Sequence, residues 1–456
     1  MEEKTQMEED NDDENNVAVK NTIPLIKDLF HVHGKVGEGT FSSVYLATLK
    51  LSDGSKKFAL KHLVPTRHPE KIERELQCMQ QIGGKDYVVG LELCLRNFET
   101  VIFVMPYMRH DKFSEYVQDM TVQETKDYMI ALLTALRRVH KFNIIHRDVK
   151  PSNFLYDRCN KRYLLVDFGL AQEYIAEKKS NNLKLLNSET QVVKRKRTDE
   201  VMYQLFTIVE EFSLKNVCCY SLIFLQNSLN LSLDRRRKGT EEKCYCFGKA
   251  KVCSLCISRP EQTAPRAGTP GFRAPEVLLK HPSQTPAIDI WASGVMMLCI
   301  LSGTQPFFLS PDDCTALAEI TTIFGSNKMQ QCARKLGLKK IIFLNTIYIV
   351  VFYFLWFVLI YHFAYFIYFK PFFDNSGKKV IFSEDIPGVD IVSLCQKLQK
   401  RNKGLLNNKD HNTCEKVSLD TQFPKEAYHL LLRLLDLDYK TRLTADQALN
   451  HPFFKL

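Results

Sequence analysis

The residues able to do chemistry are gathered in one run, His146-Arg147-Asp148-Val149-Lys150-Pro151-Ser152-Asn153, followed by Asp167-Phe168-Gly169. The spacing supplies a base, a cation and two side chains that ligate a hard metal, which is the equipment of phosphoryl transfer. That reaction asks little covalent chemistry of a protein. It needs an oriented acceptor hydroxyl, magnesium bridging the phosphates, and positive charge where negative charge develops. Asp148 is expected to orient and deprotonate the hydroxyl, Lys150 to contact the transferring group, and Asn153 and Asp167 to hold magnesium through their oxygens. A charge-rich surface turn is the competing reading of either run alone, and the two in this order argue against it.

Positioning these groups requires a nucleotide seat upstream. Gly37-Glu38-Gly39-Thr40-Phe41-Ser42-Ser43-Val44 lies between apolar stretches that predict strands, and glycines let backbone N–H groups approach phosphates closely. The third glycine of G-x-G-x-x-G is replaced by Ser42, so an ordinary hairpin is the alternative at this point. The short strand Phe58-Ala59-Leu60-Lys61 follows at the position where the pattern needs a phosphate-pairing lysine, which makes Lys61 the candidate and places Ala59 beside it. A helix predicted over about Pro69–Ile82 offers Glu70, Glu73 and Glu75 as the partner carboxylate. Ile72, Leu76 and Met79 form its apolar stripe, and Glu75 shares that face while Glu73 points to another side, with a solvated face for all three glutamates as the alternative. Met105-Pro106-Tyr107 is the expected hinge against which the nucleotide lies, through Met105 and Tyr107.

Downstream, Gly268-Thr269-Pro270-Gly271-Phe272-Arg273-Ala274-Pro275-Glu276 contains the A-P-E sequence that closes a kinase activation region. Thr269 near Asp148 and Lys150 would suit a serine or threonine acceptor. Asp289-Ile290-Trp291 opens an apolar helix whose aspartate is expected to brace the catalytic loop, and Arg442 is expected to pair with Glu276 in a bidentate fork.

With these motifs in chain order, the segments GEGTFSSVYLA (37–47), ALKHL (59–63), HRDVKPSNFLY (146–156), DFGLAQ (167–172) and APRAGTPGFRAPEVL (264–278) closely resemble the cell-division-cycle-seven kinase family. The resemblance covers nearly the whole chain outside two inserts and the amino-terminal tail. It implies an α+β, bilobal protein kinase fold: an antiparallel sheet in a small amino-terminal lobe, a helical lobe from about Asp111, and ATP between them. It also implies a serine/threonine kinase that needs an activator subunit of the Dbf4 type, uses ATP and magnesium, and phosphorylates acidic-context sites on replication proteins, the MCM helicase among them, to fire origins in the nucleus.

The kinase domain is expected over 30–456, interrupted by inserts at 173–259 and 338–380; without them 297 residues remain, the size of one bilobal domain. An activation segment interrupted this way is not expected to use the usual single phosphosite. In the first insert Cys244, Cys246, Cys253 and Cys256 form a C-x-C-x6-C-x2-C cluster able to close a tetrahedral zinc site, with chance clustering in a cysteine-rich insert as the alternative. The scattered cysteines predict a reducing compartment instead of disulfides. Two basic runs, 194–197 and 235–238, suit nuclear import, a nucleic-acid contact or a merely solvated loop; direct sequence-specific nucleic-acid binding is not expected.

Net charge is +10, yet residues 1–16 hold eight acids and one lysine, so the remainder carries +17 and favours acidic partners. Arg266 and Arg273 flank Thr269 and are the expected readers of an acidic or phosphorylated residue next to the acceptor. Residues 1–29 are expected to be a disordered acidic tail.

Ile341 to Phe369 is a run of 29 residues without charge, long enough to span a membrane. A single crossing would put Glu276 and Asp289 on one side and Arg442 on the other, so membrane attachment is not expected. Its Phe, Ile, Tyr and Leu are what translated AT-rich non-coding sequence contains, and a retained intron or gene-model artefact over 338–380 is the favoured reading. Two alternatives to the active kinase stand: a pseudokinase or scaffold inactivated by the insert, and another acid-directed kinase similar to the casein kinases. Retention of Lys61, Glu75, Asp148, Asn153 and Asp167 disfavours the scaffold.

Overall fold

The computed structural model describes residues 23–39, 42–50, 56–63, 69–97, 100–174, 267–337, 340–343, 379–382, 386–407 and 423–455. The chain divides into two units, Met1–Ile175 with Pro260–Leu456, and Ala176–Arg259, and every described residue belongs to the first.

That unit begins with helix α1 (Pro24–Leu29) and a five-stranded antiparallel sheet of β1 (Phe30–Gly39), β2 (Ser42–Leu49), β3 (Lys57–Leu63), β4 (Leu93–Asn97) and β5 (Thr100–Pro106), in spatial order β1-β2-β3-β5-β4. Period-two alternation divides β3 between two faces. Phe58 and Leu60 enter a small core with Ile26, Phe30, Tyr45, Ile102 and Val104. Ala59 and Lys61 take the other face, where register sets Lys61 opposite Val44 and Ala59 opposite Met105. The tail expected to run to residue 29 therefore ends sooner: Ile23 and Ile26 are buried against the sheet, because PLIKDL starts on a proline suited to a first helical turn and carries apolar residues to cover the outer face.

Helix α2 (Pro69–Gln81) follows with Glu75, Cys78 and Met79 buried. The larger region is built on α3 (Phe113–Tyr116), α4 (Val122–Lys141), α5 (Pro275–Leu278), α6 (Ala287–Ser302), α7 (Asp313–Phe324), α8 (Ser326–Lys335), α9 (Ile391–Asn407), α10 (Lys425–Leu434) and α11 (Ala445–Leu449). Thr121 caps α4 by accepting from the Glu124 N–H at 3.1 Å. Thr444 closes a capping box with Gln447 on α11, as its position predicts. Helix α6 is apolar all round and buried along almost its whole length, so it serves as the post on which α4, α9 and α10 pack.

Between α4 and α5 lie the short strand pairs β6 (Ile144–Ile145) with β9 (Gln172–Glu173), and β7 (Phe154–Asp157) with β8 (Arg162–Leu165). Most of the uncharged run at 341–369 lies outside the described residues, and among those described no helix is long and apolar enough to cross a membrane. Described strands stand on either side of that part. β10 (Lys340–Phe343) and β11 (Lys379–Phe382) pair in parallel with a constant offset of 39 positions, Lys340 with Lys379, Ile342 with Ile381 and Phe343 with Phe382. The paired segments are near-copies, KKIIF at 339–343 and KKVIF at 378–382. Beyond them the chain returns to where it left: Ser326 N–H donates to the Ile386 carbonyl at 3.0 Å and Val389 N–H to that of Ile323 at 2.8 Å.

Candidate active site

Two clusters of predicted residues assemble. In the first, Lys61 Nζ donates to Glu75 Oε1 at 2.6 Å and to Asp167 Oδ1 at 2.7 Å. Burial alone pulls the ammonium down, but the two carboxylates outweigh it and hold Lys61 above its ordinary value, so it stays a cation. Burial likewise pushes Asp167 up, and the Lys61 charge with the Gly169 N–H, 3.1 Å from Oδ1, drives it well below the usual carboxylate range. Helix α2 supplies the geometry: Glu75 is 1% exposed, on the face shared with Leu76 and Met79, while Glu73 bonds Gln77 on the surface.

In the second, Thr269 Oγ1 donates to Asp148 Oδ1 at 2.7 Å and accepts from Lys150 Nζ at 2.8 Å, and Lys150 lies 3.0 Å from Asp148 Oδ2. Asn153 donates its amide N–H to the Asp148 carbonyl and to Oδ2, both at 2.9 Å, which leaves its amide oxygen as the group able to ligate a cation. The Val166 N–H donates to the Asn153 carbonyl at 2.9 Å and so ties the strand leading into Asp167 to the catalytic loop.

Asp289, on α6 and 1% exposed, accepts from the backbone N–H groups of His146 and Arg147 at 2.8 Å each, and its Oδ2 is 2.9 Å from His140 Nε2. His140 escaped sequence reasoning; its one signal was a histidine in the last turn of α4, where a cation suits the helix end. Arg442 forks onto Glu276 at 2.7 and 3.0 Å.

Gly37 and Gly39 lie in β1 opposite Val44 and Ser42 of β2, and Glu38 pairs with Lys35 at the surface, 2.9 Å away. Met105, next to last in β5, is buried, and Tyr107 N–H donates to the Lys57 carbonyl at 3.2 Å. Thr40, Phe41, Arg266 and Cys244, Cys246, Cys253 and Cys256 lie outside the described residues, among which no group of three or more His, Cys, Asp or Glu could hold a metal. The Arg273 guanidinium is tied to the Asp313 carboxylate and the Gly268 carbonyl and is 12% exposed.

The donor set fits a nucleotide with a divalent cation. A buried ammonium stands on the strand paired with the glycine-bearing hairpin, and a carboxylate of strongly lowered basicity and an amide oxygen offer the hard ligands that magnesium takes.

A protein kinase domain family profile matches residues 30–196 and 184–454. The cell division cycle 7-related protein kinase of Homo sapiens is 33% identical over 560 aligned residues, covering 95% of this chain and 91% of its own. The non-specific serine/threonine protein kinase Cdc7 of Drosophila melanogaster is 33% identical over 551, covering 95% and 75%. The cell cycle serine/threonine-protein kinase hsk1 of Schizosaccharomyces pombe is 32% identical over 345, covering 69% and 59%.

Proposed function

This chain belongs to the protein kinase family, among the cell division cycle 7-related serine/threonine kinases, and from that premise we propose that it phosphorylates acidic-context sites on replication proteins, the MCM helicase in particular, when bound to an activator subunit of the Dbf4 type. The observation that carries the reading is the convergence of Asp148, Lys150 and Thr269 within hydrogen-bond reach of one another, beside a loop that also presents Asn153.

Lys61, kept charged by Glu75 and Asp167, binds the α- and β-phosphates. Asp148 accepts the proton of the serine or threonine hydroxyl, and Thr269 and Lys150 hold that carboxylate in a fixed orientation. Lys150 places positive charge beside the transferring group. Asn153 and Asp167 would hold magnesium, which would supply charge neutralisation at the phosphates. Glu276, Arg442 and Asp289 act on the scaffold and not on substrate.

The net charge of +10, and the acidic tail that leaves the rest more positive still, support acidic substrates. Nuclear location, and zinc in the cluster Cys244, Cys246, Cys253 and Cys256, belong to the same proposal and rest on sequence alone. Fluorescent-tag imaging and elemental analysis of the purified chain read them directly; a cytoplasmic signal or zinc-free protein would refuse each. The deciding experiment measures ATP-dependent phosphorylation of an acidic serine peptide by wild type and Asp167→Asn, with and without the activator. The expected result is activator-stimulated turnover that Asp167→Asn abolishes. Equal background turnover in all four samples would instead support an interaction scaffold.

A further inference from the structure

Arg273 and Asp313 form an ion pair, and the arginine also bonds the residue just before one that the proposed reaction uses. The Arg273 fork bonds Asp313 with one Nη and the Gly268 carbonyl with the other, and both side chains are largely buried, 12% and 10% exposed. Gly268 is in the left-handed region at φ +100°, and a Cβ there would lie 2.7 Å from the Arg147 carbonyl, so the loop is pressed onto the catalytic loop at this residue. The next residue is Thr269, whose hydroxyl binds Asp148 and Lys150.

Asp313 follows the residue that caps α7. The first N–H groups of α7 are met by Asp312, whose Oδ1 accepts from Cys314 and Thr315 at 2.8 and 2.9 Å. The carboxylate next in the chain, Asp313, bonds Arg273.

We infer that Asp313 is a positioning residue for the phosphoacceptor site, acting through Arg273 and the Gly268 carbonyl to fix Thr269 against Asp148. Without the Asp313 carboxylate the guanidinium is left buried and half-bonded, and it turns toward other acceptors. The Gly268 carbonyl then loses its donor and the Thr269 hydroxyl its fixed approach. Errors of about 1 Å in such a group cost up to about 100-fold in rate. This inference rests on the assignment of Asp148, Lys150 and Thr269 to the reaction.

The test uses the full chain with its activator and an acidic serine peptide. Asp313→Asn is expected to lower kcat on the order of tenfold with KM for ATP unchanged, the size expected when one charge-assisted bond is lost, and Asp313→Glu to recover most of it. In a Thr269→Ala background Asp313→Asn is expected to have almost no further effect, because the group it positions is gone. The same factor in both backgrounds, or wild-type kcat in Asp313→Asn, overturns the inference. Hydrogen exchange of the Gly268, Thr269, Gly271 and Phe272 amides gives an activity-independent reading: faster exchange in Asp313→Asn, restored by Asp313→Glu, is expected, and unchanged exchange overturns the inference. An inactive wild type would count against the proposed reaction and leave the exchange result to decide this one.

Discussion

Glu276→Gln tests how the scaffold behind the site is held. Glu276 is 1% and Arg442 4% exposed, and the carboxylate takes both arms of the guanidinium at 2.7 and 3.0 Å. Arg442 spends two further donors on the carbonyls of Ala287 and Asp436, each at 2.8 Å, and its plane lies 5.2 Å from the Trp291 ring. Neutralising Glu276 therefore leaves a buried cation with dipolar partners only. Removing one member of such a pair costs about 3–5 kcal/mol, and glutamine keeps one acceptor, so the lower end, about 3 kcal/mol, is expected. At roughly 2–4 °C per kcal/mol for a larger domain, the melting temperature should fall by about 6–12 °C. The drop should persist in about 1 M salt, since a pair sealed from solvent is barely screened. Glu276→Leu with Arg442→Met should be less damaging than either single change, because no uncompensated charge remains. Single-mutant shifts below about 2 °C, or a double mutant that simply adds the two losses, would refute the claim that charge pairing holds Trp291 and α6 in place.

Two further outcomes are expected. Burial, partly offset by the Ser310 hydroxyl and the Leu309 N–H, pushes the Glu319 carboxyl up to about 7 from its ordinary 4.5. The folded state therefore holds a proton there that the unfolded chain has lost. Stability from this group is full below about pH 4.5 and is lost as pH rises through 7, by at most about 3 kcal/mol; Glu319→Gln should flatten that slope in melting curves between pH 5 and 8, and an unchanged slope would refute it. Deleting 341–379 joins Lys340 to Val380 and leaves one copy of the repeated KKVIF segment, with Ile386–Val389 still reaching Ile323–Ser326. The deletion should keep the fold and its melting transition, and a molten product would show that the insert is integral. Transcript sequence across codons 330–385 reads the origin of the insert separately.

The catalytic residues were legible because their types and spacing are dictated by phosphate and metal chemistry, and Glu75 because a helical stripe leaves it only one face. Other features were hidden for definable reasons. Asp313 meets Arg273 across forty positions, and no local period announces a contact made by two elements that meet only after folding. His140 on Asp289 is hidden in the same way, at a separation of 149. Helix α1 was missed because six residues beside a highly acidic tail carry little helical signal of their own; the sheet's outer face, which needs covering, decides its formation. The bond between Arg273 and a buried carboxylate on α7 was hidden by its separation in the chain.

The catalytic loop also shows why its support extends so deep into the molecule. Arg147 and Asp167 both adopt φ +69°, a conformation that costs a side-chain-bearing residue about 1–3 kcal/mol and survives only when its surroundings over-determine it. For Arg147 the determinant is Asp289: two backbone N–H groups on one carboxylate fix the peptide planes on either side of His146, and the His140 imidazole holds that carboxylate from behind. For Asp167 it is Lys61 together with the Gly169 N–H, which both claim Oδ1. Neither strained residue is held by its own segment alone. Each is clamped by a distant element, α6 in one case and β3 in the other, so the turns that present Asp148 and Asp167 exist only in the folded domain. Loosening either clamp should release the backbone to ordinary φ values and move the reacting carboxylate before it unfolds anything else.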